Sequence, residues 1–271
     1  MRWKLTAAIA AIALLQAPAS AEPAPWLPVL AGASSLCVPG LGQLALGDLH
    51  GAGLSLGLTA LPLAAGSADL PPTIFADLPD QRSSLWLLTA QEAWFVQAHL
   101  AFQEGRELTH NAGFPQPLHV HSVGDLIAAP ISWSQLSDWR IWATVGLALA
   151  SNILLDTLLP EPTNNAPELP TVFQARSASL YGLSISPGEA YGANAGMGML
   201  LAGHAAVGEE SLFRGFFQDE LERDTGPIPA LLLTSALFGA SHIGGINQTT
   251  TLKQFLGPGL GGLCFGLLYQ S

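Results

Sequence analysis

Long apolar stretches recur along this chain: Trp26–Leu46, His50–Gly66, Ser84–Phe102, Trp139–Leu159, Gly188–Gly208, Pro227–Ile243 and Leu252–Tyr269. A helix needs about 20 apolar residues to cross a bilayer, and in lipid only helices or closed barrels satisfy every backbone polar group. The pattern therefore predicts an all-α fold, a polytopic transmembrane helix bundle. Composition agrees, with 11% charged residues where soluble domains carry about 25%. The net charge of -11 argues against a nucleic-acid partner, which demands a basic patch. It leaves membrane lipid and a peptide or protein substrate as the expected partners. Cys37 and Cys264 both lie in apolar, Gly-rich surroundings, which predicts two small buried hydrophobes and no disulfide.

The first 21 residues read as a signal peptide. Arg2 and Lys4 precede the apolar Leu5–Leu15, and Ala19-Ser20-Ala21 offers a cleavage site before Glu22. That leader predicts a multi-pass protein of a bacterial inner membrane. Residues 22–160 form an N-terminal multi-span module. The Pro-rich LPEPTNNAPELP opens a linker over 161–179, and residues 180–271 form a C-terminal domain.

Within that domain, VGEESLFRGFFQDELERD sets charges between two apolar segments. A charge at mid-bilayer costs roughly 2.5–3.5 kcal/mol on insertion scales, so it normally faces a polar interior and a partner. Glu210 and Arg214 are four apart and can pair on one helix face. Glu209 points about 100° away and meets Leu212 and Phe213 at i+3 and i+4. It is thus free to serve as a general base, a role that partial burial favours. On the next apolar segment His242 follows Phe238 by one turn, and a histidine there can orient water, bind a metal or stabilise an oxyanion. The same residues also suit a plainer reading. The acidic pair could complement a helix dipole beside an i,i+4 ion pair, and the histidine could be a satisfied helix residue.

GEESLFRG followed by FGASH resembles the CPBP family, the CAAX-protease and bacteriocin-processing membrane proteases related to the type II CAAX prenyl endopeptidase. The family motif EExxxR is matched by Glu209, Glu210 and Arg214, and FxxxH by Phe238 and His242. The resemblance implies an intramembrane endopeptidase in which Glu209 activates water and His242 holds that water or the scissile carbonyl. Glu210 and Arg214 would brace the site, and Phe213 and Phe238 would pack it or face substrate. It implies either a divalent metal such as zinc, with Glu209 and His242 as ligands, or no metal at all. It also admits a catalytically inactive member that binds membrane peptides or confers bacteriocin immunity. The family's third motif, a histidine with asparagine four residues on, has no match after His242. Asn247 is the nearest polar residue and stands at the wrong distance. The resemblance therefore implies a truncated chain or a site without that part.

Other polar residues stand apart from these motifs. Glu92 and His99 are seven apart on one helix face, and an intramembrane ionisable residue is by default a functional candidate. His204 falls about 140° from Glu209 on a helix and reads as packing. His110, His119 and His121 lack a nearby carboxylate or thiol and read weakly as metal ligands. Gly257/Gly261 and Gly262/Gly266 have the small-xxx-small spacing of close helix packing.

Overall fold

A computed structural model describes residues 24–68, 81–118, 122–128, 132–159, 178–180, 183–186, 188–189, 192, 203, 206–244 and 251–270. The leader, almost all of the linker, His119, His121, His204, Asn247 and most of the Gly188–Gly208 stretch lie outside the described residues. The described chain is helical except for a short antiparallel pair, β1 (Ala178–Leu180) with β2 (Leu183–Ile185).

The first expected span is two helices. Pro at its first turn starts α1 (Leu27–Cys37), and the helix ends where Val38 turns extended. A residue before proline avoids helical geometry, and Pro39 follows Val38. Gly40 then takes φ +83°, which suits glycine, and opens α2 (Leu41–Leu46). Next come α3 (Leu49–Ala68) and α4 (Gln81–Leu108). The latter runs past the expected Ser84–Phe102. A buried polar thread ties these four helices together. Ser35 Oγ donates to Gln43 Oε1 at 2.9 Å, Gln43 Nε2 to the Gln97 carbonyl at 2.9 Å, and Ser55 Oγ to Gln97 Oε1 at 2.6 Å. Each group removed from water is thereby paired, as burial requires.

Two short helices, α5 (Val123–Ala128) and α6 (Trp133–Leu136), precede α7 (Trp139–Leu158). Asp138 caps α7 by accepting from the Arg140 N–H. Most of α7 is exposed, including Trp139, Trp142, Leu147, Ile153 and Leu158. Two stretches among the described residues, Leu49–Ser67 of α3 and Trp139–Leu158 of α7, are long and apolar enough to cross a membrane. Helix α1 and the later Pro227–Ser241 have too few residues, α4 and Leu252–Tyr269 lie outside both candidate spans, and most of the expected Gly188–Gly208 span lies outside the described residues.

Residues 206–225 form one helix, α8, whose middle turns, Phe213–Gln218, widen to π geometry. Single π turns inside α-helices concentrate at functional sites. Gly226 ends α8 with φ +83° and leads into α9 (Pro227–Ser241), with α10 (Thr251–Gln270) packed along it. A core of Phe102, Phe114, Leu212, Phe213 and Phe216 seats α8 on α4. Of the expected small-residue contacts, Gly257 meets Asn152 of α7, Gly262 meets Arg214, and Gly266 meets Leu231 and Gln218. Gly261 faces open space, so the first pair is not a shared interface. Neither cysteine is fully buried, and Cys37 is exposed at the end of α1; both are free thiols.

Candidate active site

The EExxxR residues occupy the first half of α8, at its passage from α to π geometry. Arg214 is almost wholly buried, at 1% exposure, and its Nε lies 3.4 Å from Glu210 Oε2. The carboxyl of Glu210 remains 37% exposed, so the pair reaches from the packed interior to an open edge. The guanidinium also stands 5.5 Å from the Phe238 ring centroid and rests on Gly262 of α10. Its nitrogens find no hydrogen-bond partner among the described residues. Arg214 therefore links α8, α9 and α10 by charge and stacking, a use that suits a planar, weakly hydrated cation.

Glu209 turns away from that pair. Its Oε1 lies 3.8 Å from His242 Nε2, with His242 at the C-terminal end of α9. The imidazole is held by its other nitrogen, since Nδ1 lies 2.8 Å from the Phe238 carbonyl. A carbonyl only accepts, so Nδ1 carries a proton. In the neutral ring Nε2 then offers a lone pair toward Glu209. A separation of 3.8 Å exceeds a direct hydrogen bond and suits a bridging water. Ring packing fixes the histidine further, with Phe238 edge-on to it at 4.6 Å and Phe213 edge-on to Phe238 at 5.0 Å. The two phenylalanines thus orient the site.

Helix α8 lies outside both candidate spans. Burial lifts the carboxyl groups of Glu209 and Glu210 above their usual range. His242 when protonated, and then Arg214, draw Glu209 back down, and Arg214 draws Glu210 down. A carboxylate lifted in this way is a stronger base.

The pair opens on a cleft of about 560 Å³, within the usual size of ligand sites. One wall is Glu209, Phe213, Ser241 and His242. The other comes from α3 and α4, through Thr59, Leu63, Leu87, Ala90, Gln91, Trp94 and Phe95. Nothing in the spacing of the motifs indicates this second wall. The only sequence signal for α4 is the Glu92/His99 pair, and both residues are buried against α8. A Cβ at Gly208 would enter the Glu92 carboxyl group, and one at Gly215 would enter the His99 ring. Two glycines seven apart thus receive two polar side chains seven apart.

Glu209 and His242 are the two side chains placed to ligate a metal here. Among the described residues no group of three histidine, cysteine or acidic side chains gathers to hold one. A metal would draw its remaining ligands from water, substrate or residues outside the described set. His110 lies just past the end of α4 with φ 52°, away from the cleft-lining residues.

Residues 192–271 match the family model described as Type II CAAX prenyl endopeptidase Rce1-like. That is the family the EExxxR and FxxxH motifs point to, one of membrane-embedded proteases, and the match contains every motif residue. No curated protein and no solved structure matches the chain.

Proposed function

We propose that this chain is a multi-pass membrane endopeptidase that cleaves a peptide or protein substrate with water activated by Glu209. The observation that carries the reading is the 3.8 Å separation of Glu209 Oε1 and His242 Nε2 at the inner edge of the cleft. A water held between these two acceptors is aimed by both. Glu209 takes one proton as the water oxygen bonds to the scissile carbonyl carbon, whose oxygen becomes the oxyanion. Collapse of that intermediate breaks the C–N bond, and the proton moves from Glu209 to the leaving amine nitrogen. Should a metal bind, it would polarise the carbonyl or the water at these same two residues. Phe213, Phe238 and the Glu210–Arg214 pair hold Glu209 and His242 in register.

Support comes from the family match over the motif region and from the two apolar helices. The leader suggests a bacterial inner membrane. The test is Glu209→Gln in membranes co-expressing a tagged library of apolar peptides, with fragments read by mass spectrometry. Loss of the fragments with unchanged protein level supports the reading. Unchanged fragments remove Glu209 from catalysis, and binding without cleavage by the parent chain favours an inactive, peptide-binding member.

A further inference from the structure

Trp94 lines the cleft but has no part in the mechanism above. It stands on α4, outside the residues that the family model matches, and the end of α1 fixes its place. In a continuing helix the Ser35 carbonyl would accept from the amide of residue 39, but that residue is proline and has no N–H. The indole takes over, with Trp94 Nε1 donating to the Ser35 carbonyl at 2.7 Å. Ser35 is itself fully buried. Its hydroxyl accepts from the Gly42 N–H at 2.9 Å and donates to Gln43 Oε1 at 2.9 Å. The polar end of the indole is thus tied to α1, while the side chain forms part of the cleft wall. A tryptophan whose N–H is satisfied is a large, stiff apolar surface.

Leu87, Trp94 and Phe95 share one stripe of α4 at helical spacing, and Leu63 of α3 joins them in the wall. Among the described residues no lysine or arginine lines the cleft, and its one carboxyl group is that of Glu209. An anionic side chain entering there would lose its hydration and meet a like charge with no cation to pair it. An apolar side chain would leave water for four apolar neighbours, which is favourable.

We propose that Trp94 is a specificity-determining residue: with Leu63, Leu87 and Phe95 it forms a subsite that seats one large apolar side chain of the bound peptide, across the cleft from Glu209 and His242. The proposal rests on that pair being the reacting centre. It adds that the N-terminal helices, and not the motif-bearing ones, read the substrate. Cleavage then falls in the backbone beside the seated side chain, and a peptide with an acidic residue at that place is refused. Because the indole is held at its nitrogen before any peptide arrives, the wall is ordered in advance and little is lost in ordering it on binding.

The test uses short labelled peptides of glycine and serine with a single central phenylalanine, leucine, alanine or aspartate. Binding to the full chain in lipid nanodiscs is read by fluorescence anisotropy against empty nanodiscs, in the parent and in Glu209→Gln. Cleavage is read by mass spectrometry. The phenylalanine and leucine peptides should bind at least about tenfold more tightly than the alanine peptide, as burial of one apolar side chain allows. The aspartate peptide should bind most weakly. Trp94→Ala should bring the phenylalanine-to-alanine ratio close to one. Leu63 is 47% exposed and carries little of the packing, so Leu63→Trp fills the subsite and decides the matter even where Trp94→Ala fails to fold. It should weaken the phenylalanine peptide about tenfold and spare the alanine peptide. Equal affinity for the two peptides in the parent, or a ratio unmoved in Leu63→Trp, overturns the subsite. Peptides bound with the expected ratio but never cut sustain it and sink the protease reading. Cuts that Glu209→Gln abolishes, placed without regard to the central residue, do the reverse. Neither binding nor cutting overturns both.

Discussion

Arg106, near the C-terminal end of α4, forms a buried ion pair with Asp219 in the last third of α8. The two side chains are 3% and 2% exposed. The same guanidinium donates to Asn111 Oδ1 at 2.8 Å and the Gln116 carbonyl at 2.9 Å. Asp219 also accepts from the Tyr269 hydroxyl of α10 at 2.9 Å. One residue therefore ties the N-terminal helices to both α8 and α10. Replacing Arg106 with methionine keeps the apolar stem and strands Asp219 with one donor. Breaking a buried pair on one side costs about 3–5 kcal/mol, roughly a hundred- to several-thousand-fold in the folding equilibrium at about 1.4 kcal/mol per tenfold. Stability would be measured by titrating a denaturing detergent into mild-detergent micelles while following helicity. Arg106→Met should unfold at much lower denaturant, whereas Arg106→Met with Asp219→Leu should regain at least half the loss, because apolar replacement of both partners is often close to neutral. A single variant within about 1 kcal/mol of the parent, or losses that simply add in the double variant, would refute a coupled buried pair.

Other outcomes follow from the packing. Gly215→Val should lower folded yield and stability by about 1–3 kcal/mol, since its side chain enters the His99 ring and overpacking costs that much; a parent-like melting temperature would show that α4 and α8 are not closely apposed there. Glu104 is lifted to about 7 by burial, then by Asp48 and Glu107, from an ordinary 4.5. The folded state binds that proton more tightly than the unfolded one, so stability should fall as pH rises from about 4.5 to about 7. Glu104→Gln should flatten that slope, and an unchanged pH profile in the variant would exclude Glu104 as its source.

The charged motif and its immediate pairing were legible from residue order alone, because helical spacing is a local property. Four residues set Glu210 against Arg214, and the same turn sets Glu209 apart from them. The apolar runs likewise announced helices. Which of them are long enough to cross a membrane depended on where each helix ends, and Pro39 and Gly40 cut the first in two. The approach of Glu209 to His242 joins the start of one helix to the end of another. It needed α9 to fold back on α8 through Gly226, a reversal that spacing alone does not specify.

The second wall of the cleft had no signal in the motif spacing, and its helix was marked only by the Glu92/His99 pair. Ala90, Trp94 and Phe95, with Glu92 behind them, lie more than a hundred residues before Glu209. They reach it because Gly208 and Gly215 leave room on α8 and a phenylalanine core fixes the register. Side-chain period along one helix is encoded by that helix. Partner choice between distant helices is decided by which surfaces fit without voids or stranded charges. So the sequence by itself determined the helices and the charged motif residues. Only the tertiary structure decided that α4 completes the site and sets a third carboxyl group behind Glu209.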